Sequence, residues 1–318
     1  MRVLITGVTG FLGGRLARQL VLSGHDVCGI GRNGKLLKPM AAIGVNAMQV
    51  DIHGLNAYDV RHPPEVVVHC AGLSSPFGAL SDFERANVLG TRKMVELALE
   101  WDVKRFVHIS SPTVYAQLKD QPDVDEASTL PAPINYYAQT KRQSEDMLAP
   151  IWERSVVLRP RGLYGQGDTS LLPRLMRAVQ AGPIPVLRGG EAKTDITHIS
   201  DVVRSVVAAM NAPDDACGEV YNISGPEKLR VLSVIEQAAE LSGLAVRFKS
   251  VPFGPALALA RVSDFWSHKV SQKEPRISPY VLSLLGFEQT LNKQKALNKL
   301  NWEPKVSFEE GLREVFLT

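Results

Sequence analysis

Tyr137 and Lys141 stand four residues apart in INYYAQTKRQSEDMLAPIW. In a helix that spacing puts both side chains on one face. A free tyrosine titrates near pH ~10, and a neighbouring ammonium favours its phenolate. Such a pair can hand a proton to a carbonyl oxygen while a hydride reaches the carbon, or take one from an alcohol. Lys141 would also reach a cofactor ribose, and a hydroxyl is needed to hold the carbonyl. Ser110 and Ser111 end the apolar run RFVHISS, where a doubly wound sheet places its ligand crevice. By itself the Tyr/Lys spacing also describes a solvated helix surface, and it recurs at Tyr115 and Lys119. That second pair runs into the polar, proline-bearing QLKDQPD, whereas Tyr137 opens a helical pattern after PAPIN, so Tyr137 and Lys141 are the candidates.

A second constellation lies at the start of the chain, in MRVLITGVTGFLGGRL. Gly7, Gly10 and Gly13 follow a strand-like run and open a helical one. A plain turn there needs one glycine. Three let the backbone approach a pyrophosphate, which the N–H groups and dipole of the helix start would hold. Gly7, Gly10, Phe11, Leu12 and Gly13 are therefore candidate cofactor contacts.

The elements that must position these residues can be read from periodicity. RVLIT, DVCGIG, VNAMQVDI, PEVVVHCAG, RFVHISS and RSVVLRP read as strands, most of them continuous apolar runs, with helical patterns between them, among them ERANVLGTRKMVELALEWD. Gly24 is placed to end the first helix. Strands apolar on both faces, alternating with helices, imply an α/β fold with a doubly wound parallel sheet. After RPRGLYGQGD the pattern loosens and glycines and prolines increase. We expect a dinucleotide-binding domain over residues 1–165, with 200–224 a candidate to return to it, and a smaller, irregular substrate lobe over 166–318.

Composition excludes other classes. Net charge is +3, and no basic run is interleaved with aromatics, which argues against a nucleic-acid partner. The three cysteines, Cys28, Cys70 and Cys217, are far apart, so neither a disulfide framework nor a metal site is expected and a reducing, cytoplasmic setting fits. The apolar run VLI is too short for a signal peptide, and no apolar stretch is long enough for a membrane span. His69 and His108 read as core residues.

TGVTGFLG, VDI, HCAG, ANVLGTRKMVELA, HISSPTVY, YYAQTK, LRPRGLYGQGD, ITHISDVV and GEVYNISG, in this order, resemble the extended short-chain dehydrogenase/reductase family over nearly the whole chain. The resemblance implies a Rossmann domain with a C-terminal substrate lobe and an NAD(P)-dependent oxidoreductase interconverting a secondary alcohol and a ketone. It assigns Tyr137 as proton donor or acceptor, Lys141 as its activator and Ser111 as the carbonyl-binding hydroxyl. Asp51 and Ile52 would hold the adenine, Cys70, Ala71 and Gly72 would line the dinucleotide, and Asn87 would be structural. A homodimer is expected from the family alone.

Two departures bear on specificity. Where NAD enzymes of this type carry an acidic residue after the second strand, this chain has Gly31 followed by Arg32, with Lys35 nearby. A guanidinium can pair with a 2′-phosphate, so NADP is expected ahead of NAD. Nucleotide-sugar members carry an asparagine and an arginine where this chain has Gly162 and Thr194. With the apolar VPFGPALALARVSDFW in the lobe, this points to a small or medium apolar substrate and to the 3β-hydroxysteroid dehydrogenase and dihydroflavonol reductase branches. That segment also reads as ordinary lobe core or as a membrane-surface contact. Arg188 remains available to an anion, so a nucleotide-sugar epimerase or dehydratase is the second reading, and a non-catalytic cofactor-sensing protein the third.

Overall fold

Val3-Leu4-Ile5 and Val66-Val67-Val68 are apolar on both strand faces, so they are stable only in a sheet covered on both sides. In the computed structural model, which describes residues 1–317, they form the centre of a seven-stranded sheet. Its strands are β1 (Arg2–Thr6), β2 (Asp26–Gly31), β3 (Asn46–Gln49), β4 (Val66–His69), β5 (Arg105–Ile109), β6 (Ser155–Pro160) and β7 (Glu219–Ile223). All pairings are parallel, and the spatial order is 3-2-1-4-5-6-7. The order reverses between β1 and β4, and a ligand crevice opens beyond the carboxyl ends of the strands at such a point.

The first helices are α1 (Phe11–Leu22), α2 (Gly34–Ala42), α3 (Leu80–Phe83), α4 (Gly90–Glu100) and α5 (Tyr136–Asp146). Beyond them lie α6 (Leu171–Ala181), α7 (Ile199–Met210), α8 (Val231–Leu241), α9 (Phe253–Trp266) and α10 (Pro279–Gly286). Leu16 and Leu20 of α1 and Val202 and Val206 of α7 share one core with Tyr221 of β7. Met94, Val95, Leu97 and Ala98 of α4 fill the opposite face with Phe106 and Leu148. The single helix expected over ERANVLGTRKMVELALEWD is interrupted. Glu84–Leu89 form a π-helical turn between α3 and α4, in which the Gly90 N–H reaches back five residues to the Arg85 carbonyl. A wider turn of this kind leaves no trace in apolar periodicity.

The C-terminal lobe is built on a small four-stranded sheet, in the order Leu229–Arg230, Lys193–Thr194, Gln289–Leu291, Gln121–Val124. The last strand lies in what the sequence presents as a polar loop. On α9, Ala256 and Ala260 pack with Leu187 and Leu282, while Leu259, Val262, Phe265 and Trp266, each more than half exposed, form an outer apolar face. No described helix is long and apolar enough to cross a membrane.

His69 ties the sheet to α4. Thr91 donates its hydroxyl proton to the Asn87 carbonyl, so the 3.0 Å bond between Thr91 and His69 Nε2 needs the ring proton on Nε2. Nδ1 then accepts from Thr6 Oγ1 at 2.8 Å. The ring stacks on His108 at 5.5 Å. Burial pushes His69 down to about 3 and His108 well below its ordinary value, with the Lys141 charge adding to both. The unfolded chain takes up these protons as pH falls through ~6.5 and the native state does not, so stability falls with falling pH below that point. Between pH ~6.5 and ~5 the loss is about 2 kcal/mol for His69, and His108 adds to it in the same direction. Thermal unfolding is expected several degrees lower at pH ~5 than at pH ~7, with a flatter dependence in His69→Gln. A midpoint constant across that range contradicts this account.

Candidate active site

Sterics shape the glycine turn. Gly7 has φ +68°, and a Cβ there would lie 2.9 Å from the Ala71 nitrogen. A Cβ on Gly13 would lie 2.3 Å from the Gly7 carbonyl oxygen. The Gly10 N–H donates to that same oxygen at 2.8 Å, and no side chain caps the start of α1. The first-turn N–H groups of Phe11, Leu12 and Gly13 thus remain for an anion, as a pyrophosphate requires.

Two further walls flank this turn. After β4, Cys70, Ala71 and Gly72 run beside it, and the Ala71 N–H donates to Thr6 Oγ1 at 3.1 Å. Burial pushes the Cys70 thiol up to about 12, so it stays protonated and inert. After β3, Asp51 accepts the His53 N–H at 3.0 Å, opening the turn that begins at Ile52. That bond, with the charges of His53, Arg85 and Arg32, lowers its carboxyl. Arg32 is exposed beside it, at the end of β2. A side chain at Gly31 would meet Thr9, whose Cγ2 lies 2.9 Å from the site of a Cβ. Glycine turn, Arg32 with Asp51, and residues 70–72 together fit a dinucleotide.

Tyr137 is the second residue of α5, whose N-terminus is capped by Asn135 accepting the Ala138 N–H at 2.8 Å. Burial raises the phenol, while hydrogen bonds with Ser111 and Ser74 lower it. Lys141 lies one turn on, buried, and its Nζ donates to the Ile109 carbonyl at 2.5 Å. Burial lowers the amine to about 8, opposed by Glu145 and by Cys70. The two groups that lower the phenol are hydroxyls, while the amine expected to act on it is anchored at the end of β5.

The two serines after β5 part ways. Ser111 Oγ bonds Thr113 Oγ1 at 2.9 Å and reaches Tyr137. Ser110 donates to Glu145, which holds Arg159 through two bonds of 2.8 and 2.5 Å. Tyr115 belongs to that buried network: it donates to Asn222 Oδ1 at 3.1 Å and accepts from Arg159. It sits in a short 3₁₀ turn, not on a helix with Lys119.

Asn87, in the π-helical turn, accepts the Leu73 N–H at 2.7 Å and donates to the Leu73 carbonyl and to Thr140 of α5. It thereby sets Ser74 against Tyr137. Ser74 escapes a sequence reading. The serine pair after HCAG was the available sign, but only the fold brings it to the phenol. Tyr280 and Arg161 were missed too: Tyr280 lines a cavity with Tyr136 of α5, and Arg161 is buried just beyond β6. Overhead, His268 sits between Phe77, at 4.5 Å, and Tyr136, at 5.2 Å. With Asp264 and Tyr280 they line a cavity of about 200 Å³ between the C-terminal lobe and the start of α5.

Arg188 is not available to an anion. Its guanidinium makes bonds of 2.9 and 2.8 Å to Asp120 and stacks on Phe287 at 4.3 Å. A side chain at Gly162 would meet Ile196, 2.7 Å from the site of a Cβ. Among the described residues no group of three or more His, Cys, Asp or Glu could hold a metal ion.

The model of the NAD-dependent epimerase/dehydratase family matches residues 3–224. A 4-hydroxy-2-methyl-3-oxo-4-farnesyl-3,4-dihydroquinoline-1-oxide ketoreductase of Stigmatella aurantiaca is 30% identical, over 98% of this chain and 95% of its own. A 2-alkyl-3-oxoalkanoate reductase of Stenotrophomonas maltophilia is 27% identical, over 99% and 98%. Among solved structures, UDP-glucuronic acid 4-epimerase from Bacillus cereus in complex with NAD superposes with a TM-score of 0.77 at 22% identity, covering 99% of this chain and 97% of that one. At that identity the likeness shows the fold.

Proposed function

The chain belongs to the NAD-dependent epimerase/dehydratase family, and on that premise we propose that it is an NAD(P)-dependent oxidoreductase interconverting a secondary alcohol and a ketone on an apolar substrate. The observation that carries this reading is the Tyr137 phenol with the Ser111 hydroxyl in reach and the Lys141 amine buried one helical turn away. When bound, the nicotinamide supplies or accepts the hydride. Ser111, its hydroxyl oriented by Thr113, and Tyr137 hold the carbonyl oxygen from two sides. Tyr137 gives that oxygen its proton as negative charge builds there, and takes it back in the reverse direction. Lys141, an ammonium below pH about 8, offsets the phenolate left behind. The names of the two relatives support ketone reduction beside farnesyl or alkyl groups.

Net redox distinguishes this reading from sugar epimerisation, for which Arg188, Gly162 and Thr194 offer no free charge. A ketone panel with each reduced cofactor is expected to consume nicotinamide absorbance in proportion to product. Sugar-nucleotide turnover without any absorbance change would replace the reading with an epimerase.

For the cofactor we infer a preference for NADP(H). Arg32 supplies a guanidinium, and Thr9 leaves no room at Gly31 for the carboxylate that would repel a 2′-phosphate. A charge-assisted pair of this kind gives about tenfold or more in affinity. Fluorescence titration is expected to show NADPH bound more tightly than NADH, with the difference largely lost in Arg32→Ala. Equal or tighter binding of NADH by the native chain sinks the assignment.

A further inference from the structure

We propose that the outer face of α9 docks on an anionic lipid bilayer, so that the chain works at a membrane surface without crossing it. This holds independently of the reaction the site performs.

Helix α9 carries apolar residues on every side, the pattern of a helix that is covered all round. Only one side is covered. Ala256 and Ala260 pack on Leu187 and Leu282, with Phe253 and Leu257 beside them. The other side carries Leu259, Val262, Phe265 and Trp266, and Val270 follows in the wide turn Ser267–Ser271 that prolongs the helix. Leu259, Val262 and Trp266 stand at steps of three and four, and Phe265 is three beyond Val262, so they form one ridge. These five side chains are 55% to 67% exposed. Among the described residues they make up five of the twelve large apolar side chains left exposed, and the other seven are spread over the rest of the chain. Single exposed apolar residues are ordinary, whereas a contiguous patch with Phe and Trp in it marks a contact.

The charges around the ridge identify what covers it. Arg261, Lys269 and Lys273 are exposed along the same stretch. Its acids are engaged elsewhere: Asp264 lines the cavity with His268, 4.0 Å away, and Glu274 is held by Arg174 at 3.4 Å. Aromatic side chains flanked by cations suit a headgroup layer, with the rings among the acyl chains and the cations on lipid phosphate. A second copy of this chain fits less well. A stable protein interface takes about 20–30 residues a side, and a two-fold contact would set the cations of one ridge against those of the other. Docking also has a positional consequence. Asp264 and His268 of this stretch line the cavity of about 200 Å³ beside Tyr136, which therefore comes within about one helix diameter, ~10 Å, of the lipid.

Flotation with vesicles of phosphatidylglycerol and phosphatidylcholine tests this. The native chain is expected to float with the mixed vesicles and to bind pure phosphatidylcholine about tenfold or more weakly. Joint replacement Phe265→Ser and Trp266→Ser is expected to weaken vesicle binding about tenfold or more, while the thermal midpoint stays native because both side chains are exposed. Joint replacement of Arg261, Lys269 and Lys273 by glutamine is expected to remove the preference for phosphatidylglycerol. Trp266 is its own reporter: on mixed vesicles its emission shifts to the blue and brominated acyl chains quench it, a response missing in Trp266→Phe. Vesicle binding unchanged by the Phe265 and Trp266 pair, or equal binding to pure phosphatidylcholine, overturns the proposal. So does a native dimer that the same pair splits into monomers, with no vesicle binding by either form, since the ridge then covers a second copy.

Discussion

Replacing Tyr137 with phenylalanine is expected to cut turnover by about 100-fold or more while leaving dinucleotide affinity nearly intact, the scale of a lost general acid. Only the hydroxyl is removed. The ring, packed near Phe83 at 6.4 Å, and the helix that carries Lys141 stay as they are. Ser111 and Ser74 lose a partner, but neither can replace it, because an alcohol is a far weaker acid than a phenol. Tyr115→Phe is the control with the opposite profile. Its hydroxyl bonds Asn222 and Arg159 inside the core, so its removal costs stability and spares chemistry. Single-turnover rates, cofactor titration and thermal unfolding of both variants decide the matter. Equal impairment of turnover in the two would mean that the site has been assigned to the wrong tyrosine.

Gly13→Ala is expected to be among the most damaging single methyl groups in the chain. Its Cβ would fall 2.3 Å from the Gly7 oxygen and 2.9 Å from the Gly7 carbonyl carbon, both backbone atoms without a rotamer to yield. Gly7 cannot retreat, since its own Cα hydrogens face Ala71 and its carbonyl holds the Gly10 N–H. Either α1 lifts from β1 or the turn distorts. Overpacking of this kind costs about 1–3 kcal/mol, and more where only backbone can move. The expected readout is a thermal midpoint lower by several degrees, together with loss of most dinucleotide affinity, because the displaced N–H groups are those left for the pyrophosphate. Gly24→Ala is the contrast: φ +77° strains it, yet open space surrounds the Cβ, so a smaller loss of stability with normal cofactor binding is expected. Native-like cofactor affinity in Gly13→Ala would remove the turn from the binding site.

What was legible in the sequence is what local pattern encodes. Valine-rich runs alternating with helical segments specify a two-sided parallel sheet, and the helical pattern after PAPIN, against the polar QLKDQPD after Tyr115, shows which Tyr/Lys spacing lies on a helix. The rest depends on elements that meet only in the folded chain. Ser74 lies in a loop that Asn87 pins from another helix, and Tyr280 comes from the far lobe to a cavity beside Tyr136. Nothing near Arg161 in sequence shows that its hydrogen-bond acceptors are Thr194 and Gln289. Lys141 illustrates a subtler limit. Spacing on a helix says which face a side chain shares but not which acceptor claims it, and here the Ile109 carbonyl does.

The π-helical turn at Glu84–Leu89 has a consequence for how this chain tolerates insertions and deletions. A wide turn inside an α-helix is what one surplus residue becomes when both flanks are already anchored, here by Phe83 on one side and by Met94 and Val95 on the other. Such turns recur at functional sites. Removing one residue from that stretch would let the helix close into regular geometry with both flanks still in phase, so the core would register little. Asn87 would be carried off Leu73 and Thr140, and Ser74 would lose its footing beside the phenol. The reading frame of the helix thus separates two kinds of selection: a one-residue gap in this turn in a related sequence would mark a protein free to keep the fold while giving up the chemistry.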